Sequence, residues 1–257
     1  MVNIYTENDI LGMVEAGKVL AEVHRRLRTF IKEGVSTLEI DEYVESILKE
    51  YGATAEQKGY EGFPYATCAS VNDEICHGFP TDYRLKDGDI VTIDMVVNLN
   101  GSLADSAWTY AVGGISEEAR HLMDTTLKCL YLGIEQAKVG NRLGDIGNAI
   151  QTYAEGEGFS VVREFVGHGI GKTMHEDPQV LHYGEAGRGL RIQEGMVFTI
   201  EPMINEGTFN LKIDKNGWTA RTRDGKLSAQ YEHQLAITKD GPIIITDQGD
   251  TNPFEGE

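Results

Sequence analysis

Apolar residues recur at helical spacing in two stretches near the start of the chain. Residues 6–9, T-x-x-D, have the spacing of a capping box, and the apolar positions after them predict a helix that reaches about Gly34. Residues 36–39, S-x-x-E, form a second box of the same kind. A second helix is therefore predicted to follow this box and to stop near Gly52.

The rest of the chain changes between strand-like and helix-like patterns. Strands and turns are predicted across residues 68–112, with a loop at 81–89, and helices are predicted at about 117–137 and 143–155. Strand-like segments follow, with the sequences "SVVREFVGHGI", "GMVFTIEPMI", "LSAQYEHQLAIT" and "PIIITD". The tail, residues 248–257, is predicted to be loose.

The order helix, helix, strands occurs twice, which predicts an internal repeat. Residues 87–97, "DGDIVTIDMVV", align with residues 194–204, "EGMVFTIEPMI", and the offset of 107 places Asp94 on Glu201. The segments "CHGFP" and "GHGIG" also share a His-Gly pair. Chance similarity between two strands is the alternative, but the matching acid in an apolar strand favours a repeat.

Composition and charge narrow the range of functions. The 257 residues carry a formal net charge of −18, which opposes binding to nucleic acid or to an anionic membrane. No apolar run reaches the length of a membrane span, and the N-terminal sequence lacks the pattern of a secretory signal. Cys68, Cys76 and Cys129 have neither a disulfide pattern nor a zinc-site pattern, so a cytoplasmic location is expected.

Two carboxylates interrupt the apolar pattern of the hairpin predicted around Asn100 and Gly101. Asp94 lies among Ile, Val and Met residues, and Asp105 lies on the returning strand. A two-residue turn would place Asp105 opposite Val96 with Asp94 one diagonal away, whereas a four-residue loop would place the two acids opposite each other. Either register leaves the carboxylates on one face within about 5–8 Å, where they raise a pKa or share a cation.

Three further side chains are candidates for the same metal site. His168 lies between glycines that leave room around its ring, and Glu201 and Glu232 lie in apolar strands. Each acid alone is more typical of a strand edge or an ion pair, so the prediction depends on the whole set. Four carboxylates and one imidazole suit two divalent ions such as Mn, Fe or Co better than a structural zinc. Two ions about 3.5–4 Å apart can turn a shared water into hydroxide, which predicts metal-assisted hydrolysis.

The segment around His175 does not form the zinc-binding motif H-E-x-x-H. Gln179 stands four residues after His175 where that motif has histidine, and Pro178 would break a helix there. Glu176 and Asp177 are instead predicted to lie in a solvated turn. The remaining histidines are assigned to the surface or to ordinary packing, and these are His24, His121, His182 and His233.

Five motifs, spread over essentially the whole chain, match those of one enzyme family. They are "NDEICHGFP", "DIVTIDMVVNLNGSLADSAWT", "FVGHGIGKTMHEDPQV", "GMVFTIEPMI" and "QYEHQLAIT". With them the chain resembles type I methionine aminopeptidases in their short bacterial form. The resemblance implies an α/β (α+β) pita-bread fold, with two ααββ halves related by a pseudo-twofold axis around a curved antiparallel sheet. One catalytic domain is expected over residues 1–257, with halves at about 1–113 and 114–250.

The resemblance also implies roles for the five metal-site residues. Asp94 would chelate one ion, His168 and Glu201 would bind the other, and Asp105 and Glu232 would bridge the two. Glu201 would in addition pass the proton of the attacking water to the leaving amine.

The substrate would be held by two histidines and an apolar pocket. By resemblance, His77 would lie near the scissile nitrogen and His175 would hydrogen-bond the scissile carbonyl; buried structural histidines are the alternative. The methionine side chain would enter an apolar pocket formed by Tyr60, Phe63, Cys68, Met174 and Trp218. Phe63 is equally consistent with an ordinary core aromatic, and Cys68 with a small buried hydrophobe. Family members commonly have Phe at the position of Met174, so a looser pocket rim is expected.

The expected activity is removal of the initiator methionine from peptides and nascent chains, with preference for a small second residue. Two divalent ions, such as Co, Mn or Fe, would be the cofactors, and the protein is expected to act as a monomer. Any ribosome contact would come from the catalytic domain itself. The alternatives are a proline-specific aminopeptidase or prolidase of the same fold, which would cleave Xaa-Pro peptides, and a non-catalytic binding relative. Such binding relatives typically lose ligands, whereas all five are present here.

Overall fold

The computed structural model describes residues 1–249, and the predicted loose tail lies outside them from residue 250 onwards. This part of the chain has four α-helices in two consecutive pairs: α1 Glu7–Phe30, α2 Thr37–Glu50, α3 Glu117–Gln136 and α4 Leu143–Gly156. The side chains of Thr6 and Ser36 each accept the backbone N–H of the acid three residues later, and the side chain of that acid accepts the backbone N–H of Thr6 or Ser36. Both predicted capping boxes are therefore confirmed. None of these helices is long and apolar enough to cross a membrane.

Helix α1 ends at Phe30, earlier than the predicted end near Gly34. Ile31 already has an extended backbone and is buried. The Gly34 N–H donates to the carbonyl of Leu85 at 2.8 Å, and the Leu85 N–H donates to the carbonyl of Val35 at 2.9 Å. The chain therefore leaves the helix because these residues pair with the segment around Leu85.

Fifteen short strands form four sheets within residues 1–249, and the pairs within these sheets are antiparallel. The strands are β1 Thr54–Ala55, β2 Cys68–Val71, β3 Glu74–Cys76, β4 Ile90–Leu99, β5 Ser102–Ala111, β6 Ser160–Val161, β7 Gly167–Gly169, β8 Glu176–Val180, β9 Val197–Ile200, β10 Met203–Asn205, β11 Leu211–Ile213, β12 Ala220–Thr222, β13 Ser228–Gln230, β14 His233–Thr238 and β15 Gly241–Ile244. The sheets have the orders β1-β4-β2 with β5 paired to β4, β13-β10-β6, β11-β12-β3 and β15-β14-β9-β7-β8.

The hairpin of β4 and β5 has a two-residue turn. Asn100 and Gly101 have φ values of 53° and 85°, and positive φ at both central positions is typical of a type I′ turn. Asp105 pairs with Val96, so the first of the two predicted registers is confirmed. Asp94 and Asp105 therefore lie one diagonal apart on the same face of the hairpin.

Two segments that were predicted as continuous strands are each interrupted at an acid. Glu201 lies between β9 and β10, next to Pro202, which has no N–H to donate to a sheet. Glu232 lies between β13 and β14, next to Tyr231. Both acids are therefore at strand ends, where the side chain is not bound to the alternation of a regular strand.

The predicted solvated turn at Glu176 and Asp177 is wrong. These residues begin β8, in which Glu176 pairs with Gly169 and Gln179 pairs with His168. Pro178 is tolerated because β8 is the edge strand of its sheet, where one side needs no N–H donor.

Each pair of helices covers its own hydrophobic core, and the two parts meet between β5 and β14. Helices α1 and α2 pack with the β4–β5 hairpin, whereas α3 and α4 pack with β9 and β14. At the junction, the Asp105 N–H donates to the side-chain oxygen of Gln234 at 2.9 Å, and the Glu232 N–H donates to the carbonyl of Ala107 at 2.9 Å. These bonds bring the acids of the hairpin to the strand ends that carry Glu201 and Glu232.

Candidate active site

All twelve residues predicted for the site line one cavity of about 760 Å³. They are Tyr60, Phe63, Cys68, His77, Asp94, Asp105, His168, Met174, His175, Glu201, Trp218 and Glu232. The candidate metal ligands and the candidate substrate contacts are therefore parts of a single site.

The imidazole of His168 faces the carboxylates of the junction. Its Nε2 atom is 3.6 Å from Asp105 Oδ2 and 3.5 Å from Glu201 Oε1. One donor atom each from Asp105, His168 and Glu232 lie within 4.8 Å of one another. The two distances from His168 Nε2 are longer than normal hydrogen bonds, so the ring faces Asp105 and Glu201 without being paired to either.

Burial controls the charge state of the four carboxylates. It raises the pKa of Asp94 to about 7 and that of Glu201 to about 8. Burial, and then the neighbouring carboxylates, raise the pKa of Asp105 and of Glu232 well above the ordinary range. Acids this close cannot all ionise without a compensating cation, and divalent ions would supply that charge.

The ring of His168 is held in the tautomer that a metal ligand needs. Its Nδ1 atom is 3.0 Å from the carbonyl oxygen of Gly169. A carbonyl only accepts hydrogen bonds, so Nδ1 carries the proton and Nε2 presents its lone pair to the carboxylates. Burial lowers the pKa of His168 to about 4, which keeps the ring neutral at pH 7. This imidazole and the four buried acids fit a divalent-ion centre.

The glycines beside His168 allow the backbones of the neighbouring strands to approach closely. If Gly167 carried a Cβ atom, that atom would lie 2.4 Å from the carbonyl oxygen of Thr199. A Cβ atom on Gly169 would lie 2.1 Å from the carbonyl oxygen of Asp177. Close backbone approach, rather than space around the ring, therefore accounts for these glycines. This approach also brings the Thr199 hydroxyl into the site. The hydroxyl accepts the backbone N–H of His168 at 3.0 Å and donates to Glu201 Oε1 at 2.7 Å.

The two other candidate histidines are both neutral at pH 7. Burial, followed by the nearby His175, lowers the pKa of His77 to about 4. Burial also lowers the pKa of His175, whose Nδ1 atom is 3.1 Å from the Tyr60 hydroxyl. His77 has a φ of 54°, an uncommon value for a residue other than glycine, and such strained positions concentrate at functional sites.

One wall of the cavity is apolar and closely packed. Phe63 is only 3% exposed, and its ring centre is 5.3 Å from those of Trp218 and Phe79. Burial raises the pKa of Cys68 well above its usual value, so its sulfur remains a thiol. Phe63 is thus both a packed aromatic residue and a lining residue, and the two interpretations of it are compatible.

Two buried side chains that support the site were not predicted from the sequence. Gln57 donates to Cys68 Sγ at 3.6 Å and accepts the Val96 N–H at 2.7 Å. His182, for which the sequence predicts only a surface or an ordinary packing position, accepts the Glu201 N–H at its Nε2 atom at 3.1 Å. Its Nδ1 atom has no hydrogen-bond partner among residues 1–249. Neither residue has a local sequence signal, because both act on residues far along the chain.

Comparison with known proteins gives the class of the chain. Residues 12–239 match metallopeptidase family M24, and the chain belongs to that family. Its similarity within the family is to methionine aminopeptidases. That of Clostridium perfringens is 50% identical over 246 residues, which cover 96% of this chain and 99% of the relative. That of Bacillus subtilis is 48% identical, with the same two coverages.

Solved structures agree with this grouping. The crystal structure of methionine aminopeptidase from Rickettsia prowazekii has a TM-score of 0.95 and 43% identity, and covers 96% of this chain and 100% of its own. The predicted pita-bread fold is thereby confirmed. A prolidase from Pyrococcus furiosus has a TM-score of 0.74 and 24% identity, and this chain covers 65% of it. That more distant likeness shows a shared fold alone.

Proposed function

We propose that this protein is a methionine aminopeptidase, which removes the N-terminal methionine from peptides and from newly made chains. The observation that carries the proposal is the joint lining of one cavity by a carboxylate-imidazole cluster and an apolar wall. Family membership supports the hydrolytic chemistry, and the similarity to methionine aminopeptidases at 43–50% identity supports the substrate.

The proposed cofactors are two divalent ions, and Mn, Fe or Co suits the oxygen-rich donor set. Asp94 would hold one ion, His168 and Glu201 the other, and Asp105 and Glu232 would lie between them. When bound, the ions supply Lewis-acid chemistry that makes water a nucleophile at neutral pH and polarises the scissile carbonyl.

Three side chains would carry out the proton transfer and the positioning. Glu201 takes the proton of the attacking water and delivers it to the leaving amine. His77 lies near the scissile nitrogen and His175 donates to the carbonyl oxygen of the substrate. Both rings are neutral at pH 7 because burial lowers each pKa, so each has one N–H to donate.

The apolar wall would select methionine. Phe63 and Trp218 form a rigid aromatic surface, and the Cys68 thiol and the Met174 thioether add polarizable sulfur. A methionine side chain is of the same chemical kind as this wall. The proposed preference for a small second residue follows from contact between a larger residue and the wall of the site.

We also propose a cellular setting, from the charge and the cysteines of the chain. The charge of −18 and the three buried, unpaired cysteines support a cytoplasmic protein that binds neither nucleic acid nor membrane. We further propose that residues 1–257 act as one monomeric catalytic domain with halves at about 1–113 and 114–250. A contact with the ribosome would then use the surface of this domain.

The direct test is methionine release from Met-Ala-Ser and Met-Lys-Ser. Chelator-stripped protein would be assayed alone and after addition of Mn, Co, Fe or Zn, with an Ala-Pro peptide as the rival substrate. Release from Met-Ala-Ser that requires metal supports the proposal and ranks the metals. Cleavage of Ala-Pro instead would assign the protein to the proline-specific enzymes.

A matched variant separates catalysis from binding alone. The double substitution Asp105→Ala and His168→Ala removes one bridging ligand and one terminal ligand. It should abolish release while leaving the helices folded, as judged by circular dichroism. Activity that survives this change would refute the proposed metal centre, and inactivity of the wild type with every metal would favour a binding relative.

A further inference from the structure

The loop between β7 and β8, residues 170–175, carries two side chains of the cavity wall. Met174 and His175 both belong to this loop, which has no regular secondary structure. The carboxylate of Glu176 holds the loop from its C-terminal end. Its Oε1 atom accepts the backbone N–H of Lys172 at 3.0 Å and that of Thr173 at 3.1 Å.

A distant residue, Tyr5, completes this set of bonds. Its hydroxyl lies 2.7 and 2.9 Å from the two oxygens of Glu176 and accepts the Lys172 N–H at 3.1 Å. Asn3 donates to the same carboxylate at 2.7 Å. The segment before α1 is thus bonded both to the loop backbone and to the acid that holds the loop.

The ring of Tyr5 is built into the structure beneath the loop. Tyr5 is 7% exposed and belongs to the same buried apolar cluster as Ile170 and Met174. A Cβ atom at Gly171 would lie 2.1 Å from the Tyr5 ring, so glycine is needed there for the contact. The Tyr5 backbone N–H donates to the carbonyl of Gly195 at 2.8 Å, which attaches the Tyr5 backbone to the turn before β9.

The charge states favour this contact over a wide pH range. Burial and the bond to Glu176 raise the pKa of Tyr5 to about 12, so the hydroxyl keeps its proton. Burial opposes ionisation of Glu176, but the bonds from Asn3, Tyr5 and the loop N–H groups prevail and lower its pKa. The donor and the acceptor are therefore both in the required form at neutral pH.

We propose that Tyr5 is a positioning residue that holds the 170–175 loop so that Met174 and His175 face the substrate. The inference rests on the proposed function, because it assigns these two side chains to substrate binding. Loosening the loop makes the bound geometry one of several, so the apparent affinity falls in proportion to the fraction of time that this geometry is populated. KM should therefore rise more than kcat falls.

The test uses Tyr5→Phe, which keeps the ring and removes only the hydroxyl. Tyr83→Phe is the matched control, because the Tyr83 hydroxyl donates to the carboxylate of Asp89 at 2.9 Å, outside the residues that line the cavity. Hydrogen exchange of the Lys172 and Thr173 amides would be measured on metal-free protein, so that this result is independent of any reaction. Kinetics on Met-Ala-Ser would follow with metal restored.

The expected result is exchange of both amides about tenfold faster in Tyr5→Phe, since one hydrogen bond to a charged group is lost. KM should rise by a similar factor with kcat nearly unchanged, and Tyr83→Phe should match the wild type in both measurements. Unchanged amide exchange would overturn the proposal, and so would faster exchange with unchanged KM. If the wild type released no methionine, the proposed function would fail, whereas the exchange data would still decide whether Tyr5 holds the loop.

A double-mutant cycle gives a second, independent measurement. Glu176→Gln keeps the size of the acceptor but removes its charge. Because Tyr5 and Glu176 both hold the backbone of the same loop, the double variant should raise KM by less than the product of the two single increases. Increases that multiply in full would show that the two side chains do not act on one loop and would overturn the proposal.

Discussion

Replacing Thr199 by valine should weaken metal binding, because it removes a single hydroxyl from the interior of the site. That hydroxyl accepts the His168 N–H at 3.0 Å and donates to Glu201 at 2.7 Å. Valine has nearly the same shape but can form neither bond. Because both partners are proposed ligands, the change should affect the affinity for metal as well as the stability of the fold.

The loss of metal affinity depends on which of the two Thr199 hydrogen bonds changes when metal binds. An unpaired buried N–H costs about 1–3 kcal/mol. The backbone N–H of His168 loses its partner both in the metal-free and in the metal-bound variant, so this cost does not change the affinity for metal. The bond to Glu201 strengthens when the carboxylate is ionised, and burial raises its pKa to about 8 in the metal-free protein. Metal binding would force ionisation, so the affinity should fall by about 10–100-fold, or about 1.4–2.8 kcal/mol.

Calorimetric titration of Mn into chelator-stripped protein measures this affinity. Thr199→Ser restores a hydroxyl and should bind nearly as tightly as the wild type. Thr92→Val changes the residue at the aligned position of the other half, where the hydroxyl bonds to Thr109 Oγ1 at 2.8 Å. The reasoning would be refuted if Thr199→Val bound Mn as tightly as the wild type, or if Thr92→Val weakened binding equally.

Three further outcomes are expected. Metal-free protein should lose stability as the pH rises from about 4, the ordinary carboxyl pKa, to about 8, because Glu201 and Asp94 hold protons over this range only in the folded state. Calorimetry should show a Tm that falls across this range and that Mn keeps constant, and a flat Tm without metal would contradict the raised pKa values. Phe63→Ala should lower the free energy of unfolding by about 3–5 kcal/mol, since the ring is buried against Trp218, and an unchanged urea midpoint would disprove this. His77→Ala should lower kcat by about 10²–10³-fold, because it removes an N–H donor placed near the scissile nitrogen. Mn affinity should be retained, because this ring is not a proposed ligand; an equal loss of Mn binding would show that its role is structural.

The features that were predictable from the sequence are those with local signals. The two capping boxes and the turn at Asn100 and Gly101 each depend on residues within four positions of one another. An acid in an apolar strand is a local anomaly as well, so Asp94 was identifiable without the fold. The family motifs then supplied the residues of the cavity that composition and periodicity could not assign.

What the sequence could not supply is the environment of those residues. The periodicity of the chain does not show that Glu201 and Glu232 lie at strand ends, although Pro202 was a usable signal for the first. The bond between Glu201 and His182 joins positions 19 residues apart, and that between Tyr5 and Glu176 joins positions 171 residues apart. Such contacts are created by tertiary packing, which no window along the chain contains.

The junction of β5 and β14 divides the candidate metal ligands between two parts of the chain. A cut in the segment 112–116, between β5 and α3, would leave Asp94 and Asp105 on one fragment and His168, Glu201 and Glu232 on the other. Divalent ions would then act as a cross-link between the fragments, and their association would depend on metal concentration by mass action. The two fragments could therefore serve as a split metal sensor, in which their association signals the presence of the ion.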